Sequence, residues 1–128
     1  MHALADDVLA LDGCVVSAVL HYGSASVVCA RGDADRLALA WSLGAVLDEL
    51  DDPAADALVN SGARCHVARP LPGTECFVYA AFDPDVASVA LARRTVALAV
   101  EHASVANGQV TSADAPARTA CDPAFFWD

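Results

Sequence analysis

The chain has 128 residues, 17 acidic against 7 basic side chains, a formal net charge of -10 and a pI of about 4.4. That length fits one domain able to bury a core without a metal or disulfide staple. The charge excludes nucleic-acid binding by phosphate neutralisation and attraction to an anionic membrane surface, and leaves room for a basic protein partner. The chain is 56% apolar with a mean hydropathy of +0.42, yet no run approaches the roughly 18 uninterrupted apolar residues of a membrane span.

Residues 3–12 place Leu4, Val8 and Leu11 on one helical stripe, with Asp6 and Asp7 off it. Asp12-Gly13 ends that helix as a turn. The acidic start lacks a basic region followed by a long apolar one, so it does not read as a signal peptide and a cytoplasmic protein is expected. Residues 14–22 and 25–30 are β-branched and apolar, and Gly23-Ser24 between them predicts a hairpin.

A helix follows over about 34–50, with Asp33 or Asp35 placed to cap it. It carries two apolar stripes: Leu39, Leu43, Val46 and Leu50, then Leu37, Trp41 and Ala45. Together they exceed the roughly 100° arc that one buried face needs. Gly44 inside this helix costs about 1 kcal/mol relative to Ala, which points to close backbone approach. Asp51-Asp52-Pro53 stops the helix.

Residues 56–61 predict a short edge strand, 64–69 a strand with one wet face, and 75–82 a strong strand. Pro70-Leu71-Pro72-Gly73 is a turn. Asp83-Pro84-Asp85 opens a last helix over about 86–104, with Val89, Val96 and Val100 on one side and Leu91 and Leu98 on its flank. From Asn107 the composition turns to small polar residues and proline, so 1–106 reads as the domain and 107–128 as a flexible tail ending in Phe125-Phe126-Trp127. That aromatic end is expected to fold back on its own domain. The resulting fold class is α+β: a central antiparallel five-stranded sheet with helices on both faces, in the order α-ββ-α-βββ-α.

This order resembles the Roadblock/LC7 family, which includes the roadblock dynein light chains and bacterial partners of small Ras-like GTPases. The resemblance covers residues 3–104. It is carried by the first helix with Asp12-Gly13, the hairpin VVSAVLHYGSASVVCARG, the helix from Asp33 to Leu50, the block ALVNSGARCHVARPLPGTECFVYAAFD, and the helix DVASVALARRTVALAVEHA. It implies a profilin-like layered sandwich and a homodimer in which the long helices pack together and the third strands pair. On this chain the expected dimer surface is Leu37, Trp41, Gly44, Ala45 and Asp48 with Leu58 and Asn60. The resemblance further implies a non-enzymatic regulator or scaffold for a small Ras-like GTPase, needing no cofactor. The Pro-rich turn at 70–73 and the aromatic tail depart from the family pattern.

The residues that carry chemistry elsewhere have simpler readings here. Cys65, His66 and Cys76, with His21 or Cys29, lack the C-x-x-C and H-x₃₋₅-H spacings of zinc sites, and Cys65 and His66 face opposite sides of a strand. A Cys–His nucleophile from Cys14, Cys29 or Cys76 with His21 would need an activated thiolate, which apolar strands do not provide. Asp33/Asp35 and Asp83/Asp85 are expected to cap helices. Arg64, Arg69, Arg93 and Arg94 form the basic clusters that a partner's acidic groups would meet. Phosphate loops of the GxxxxGK[ST] or GxGxxG type are absent, so the chain does not bind nucleotide by those routes, and a GTPase that it regulates would be a separate chain. The alternative reading is a ligand-sensing module of related profilin-like or PAS-like shape, which would need an internal pocket.

Overall fold

The architecture comes from a computed structural model, which describes residues 2–32, 37–52 and 54–111, the backbone alone for 2 and 104–111. The elements are α1 (His2–Leu9), β1 (Cys14–His21), β2 (Ser26–Gly32), α2 (Ala38–Leu50), β3 (Ala57–Asn60), β4 (Cys65–Pro70), β5 (Cys76–Phe82) and α3 (Val89–Thr111). The α-ββ-α-βββ-α order expected from the hydrophobic pattern is the observed one.

The five strands form one antiparallel sheet in the order β2-β1-β5-β4-β3. β5 sits at its centre and all seven of its residues are buried. A strand covered on both faces must be apolar on both, which is why CFVYAAF shows no polar alternation. β2 and β3 are the two edges. Helices cover both faces, giving a layered α/β/α sandwich.

The period-two alternation of the strands divides the core. On one face Val19, Val67, Val78 and Phe82 meet Leu4 and Val8 of α1 and Val96 and Val100 of α3. On the other, Leu20, Ala68, Phe77 and Tyr79 meet Ala40, Leu43 and Leu47 of α2. Each fully buried large side chain stabilises the fold by about 1.5–3 kcal/mol. Ser17, a buried polar residue of β1, donates from Oγ to the Ala5 carbonyl at 2.6 Å and ties α1 to the sheet.

The helix starts differ from the sequence reading. α2 begins after Leu37, which makes no side-chain cap; Asp33 and Asp35 lie outside the described residues. α2 ends on Asp51 in the left-handed region, φ 51°, whose amide donates to the Leu47 carbonyl. Before α3, Asp83 Oδ1 accepts the Asp85 amide at 2.9 Å, a local turn rather than a cap. Ser88 is the residue that caps α3, its Oγ accepting the Leu91 amide at 3.1 Å. α3 continues to Thr111, beyond position 106. Phe125, Phe126 and Trp127 lie outside the described residues.

Candidate functional site

The geometry of interest is built by α2 and β3. β3 pairs only with β4, so its outer edge offers unpaired backbone donors and acceptors. α2 packs on the same end of the sheet, against β4 and β3. Its two apolar stripes have different fates. Gly44 is buried with Ala40, Leu43 and Leu47, and a Cβ placed on it would lie 2.6 Å from Phe77 Cε1. The close approach expected at Gly44 is therefore made to the Phe77 ring of its own sheet.

Trp41 meets Phe77 edge-on, ring centroids 6.3 Å apart, and Leu37 packs on the same core. Asp48 lies on this flank too. Its charge, after the larger effect of burial, helps push the Tyr22 hydroxyl up to about 12. Tyr22 directly follows β1 and Phe77 belongs to β5, so Leu37, Trp41 and Asp48 lie on the flank toward the middle of the sheet. Leu39, Val46 and Leu50 recur at helical spacing on the opposite flank, toward the β3 edge. Val46 is 47% exposed and Leu50 53%, and Val27, Val86, Leu91 and Leu98 are exposed to a similar degree. Ala45 is exposed on the Trp41 flank. On β3, Leu58 is half-buried against the α1/α3 core, and Asn60 Oδ1 accepts the Gly62 amide at 3.0 Å to shape the next turn.

The basic residues separate into two kinds. Arg93 on α3 grips Asp56 with two bonds, Nε to Oδ2 at 3.0 Å and Nη2 to Oδ1 at 2.9 Å. Arg69 Nη1 reaches the same carboxylate at 4.0 Å. These two arginines thus tie α3 and β4 to the segment entering β3. Arg94 is exposed, and Arg64 is half-buried in the β3–β4 turn, where Nη1 donates to the Ala63 carbonyl. No sequence signal joined Asp56 to Arg93, 37 positions apart.

Arg64 neighbours a polar chain at one end of the sheet. Tyr79, fully buried, shares a 2.7 Å hydrogen bond with His66 Nδ1, and their rings stack at 6.0 Å. His66 Nε2 lies 3.4 Å from Ser61 Oγ, which donates to the Arg64 carbonyl at 3.1 Å. Burial, and then the Arg64 charge, hold the His66 imidazole below its ordinary range. Burial pushes the Tyr79 phenol up to about 12, so it keeps its proton.

The cysteines offer no assembled site. Cys65 stands opposite Phe82 and Cys76 opposite His21, at the two ends of β5. Burial pushes the Cys14 thiol up to about 11 and raises Cys29 and Cys65 as well, the reverse of what a nucleophile needs. Cys76 is disulfide-bonded and has no thiol to titrate. His21 accepts the Ser24 amide on Nδ1 at 3.0 Å and faces Glu75 at 3.7 Å, so it serves the hairpin turn. Among the described residues no group of three His, Cys, Asp or Glu could hold a metal ion, and no helix is long and apolar enough to cross a membrane.

No family model matches the sequence, and neither does any curated protein. Solved structures do. A Roadblock/LC7 domain from Streptomyces avermitilis superposes with a TM-score of 0.63 at 13% identity, over 87% of this chain and 98% of that one. MglB of Myxococcus xanthus gives 0.58 at 12% identity, over 84% and 90%. MglC of the same organism gives 0.51 at 15% identity, over 82% and 93%. At such identities the likeness lies in the arrangement of elements. The same five-stranded sheet, with α2 on one face and α1 and α3 on the other, shows that this chain has a Roadblock/LC7-type fold.

Proposed function

We propose that the chain is a dimeric, non-enzymatic regulator or scaffold that binds a small Ras-like GTPase in the cytoplasm and modulates its GTP hydrolysis, without a cofactor of its own. What supports the dimer is that α2 exposes Val46 and Leu50 and packs against β3, an edge strand of the sheet. A two-fold axis at that edge would pair β3 with its copy and bring the two α2 flanks together. Ala45, Val46 and Leu50, with Leu58 and Asn60 on β3, are the residues it would bury. Leu37, Trp41, Gly44 and Asp48 support the surface from the sheet side. The fold shared with MglB, MglC and the Roadblock/LC7 domain supports a GTPase as the partner. Of the arginines, Arg94 is placed best to meet it, being exposed and outside the Asp56 cluster.

The test mixes the purified chain with each small Ras-like GTPase of its source, loaded with GDP or a non-hydrolysable GTP analogue. Preferential binding to the analogue-loaded form, with a changed rate of GTP hydrolysis, is the expected result. Absence of binding in both arms for every such GTPase counts against the reading. A ligand-sensing role is the second reading, and the observation favouring it is a small hollow at the Arg64–His66 end of the sheet.

A further inference from the structure

That hollow lies on the α2 face, at the end of the sheet. The register puts Val16, Ala81 and His66 side by side on β1, β5 and β4. In the next row Tyr79 stands between Ala18 and Ala68. The small Ala81 between two larger neighbours leaves a cavity of about 140 Å³. Its floor and one wall are apolar, from Ala81, Val15 and Val16. Its other wall is polar, from Ser61, Arg64 and His66, with Tyr79 behind.

Two facts define what fits. Arg64 is half-buried and has no carboxylate partner among the described residues, in a chain of net charge -10. Arg69 and Arg93, by contrast, share Asp56. Arg64 lines the cavity, and its Nη1 donates to the Ala63 carbonyl, which leaves its other N–H groups to meet an anion. His66 Nε2 makes only a long 3.4 Å contact to Ser61, so it is weakly engaged. Tyr79 holds the other ring nitrogen and fixes the ring's orientation. The Arg64 and His66 side chains thus share the lining with the methyl groups of Val15, Val16 and Ala81.

We propose that this cavity binds a small monocarboxylate with a short alkyl body, its carboxylate on Arg64 and His66 and its chain on Ala81, Val15 and Val16. The site is independent of GTPase binding. A volume of about 140 Å³ accommodates a chain of a few carbons and no more.

The test is an NMR titration of the full chain with acetate, propionate and butyrate, and with inorganic phosphate and chloride at matched ionic strength. Saturable shifts are expected at the His66 ring and the Ala81 and Val16 methyls, with affinity rising about fourfold per added CH₂. Arg64→Gln is expected to weaken butyrate about tenfold, with amide spectra away from the cavity unchanged. Phosphate binding as well as butyrate at these residues, or affinity indifferent to alkyl length, overturns the assignment. So does the absence of saturable shifts in the wild-type chain, which needs no variant to fold.

Discussion

Gly44→Ala separates helix propensity from packing at one position. Alanine is the better helix former by about 1 kcal/mol, and on propensity alone the variant gains that much. The site works against it. A methyl group there would lie 2.6 Å from Phe77 Cε1 and 3.1 Å from Cε2, well inside the roughly 3.5–4.0 Å that carbon pairs prefer. The ring cannot simply step aside. Phe77 is fully buried, with Tyr22 at 4.9 Å and Trp41 at 6.3 Å between ring centroids. Overpacking such a core costs about 1–3 kcal/mol, so the expected net loss is about 1 kcal/mol. Urea unfolding of the wild type, Gly44→Ala, Phe77→Leu and the double variant measures it. Leucine lacks the outer ring atoms, so the double variant is expected to lose about 1–3 kcal/mol less than the sum of the singles. A Gly44→Ala protein about 1 kcal/mol more stable than wild type, additive with Phe77→Leu, refutes the close-packing account.

Other parts of the structure make their own predictions. His66 is held below its usual range in the fold, so the unfolded chain binds its proton more readily. Its contribution to stability is complete above the ordinary histidine value and lost as the pH falls through the lower folded one; a denaturation series over pH 5–8 is expected to show this slope, reduced in His66→Gln. Cys14, pushed up to about 11, is thiolate in only about one molecule in ten thousand at pH 7, so alkylation of Cys14, Cys29 and Cys65 is expected to be slow until denaturant is added, and rapid labelling of the folded protein would contradict it. Asp56→Ala removes the shared partner of Arg69 and Arg93 and is expected to lower Tm, by less in high salt because Arg93 is exposed; an unchanged Tm at low salt would count against the tie between α3 and β3.

Much of the architecture was legible because strand and helix periods leave different marks. The buried β5 is continuously apolar, the turns carry Gly and Pro, and the helices keep their stripes. The helix starts were less legible. Asp83-Pro84-Asp85 looks like a cap, but Asp83 closes a turn on Asp85 and Ser88 does the capping. Side-chain pairing across distance was not legible. Arg93 and Arg69 look like free basic residues until the fold brings Asp56 between them. The surplus apolar arc of α2 was visible in the sequence, but not which flank the sheet would take. Phe77 decides that by filling the space under Gly44, turning Trp41 inward and leaving Val46 and Leu50 outside. The hollow over Ala81 was equally hidden, since it depends on register between strands far apart in sequence.

Sedimentation equilibrium tests the central claim most directly, on the chain alone and mixed with the GTPase in its GDP and GTP-analogue forms. A species of twice 13.2 kDa is expected for the chain alone, falling to the monomer in Leu50→Glu with the circular dichroism unchanged, and a heavier complex in the GTP-analogue mixture. A wild-type chain that sediments as a monomer and forms no heavier species with either nucleotide form would contradict the account.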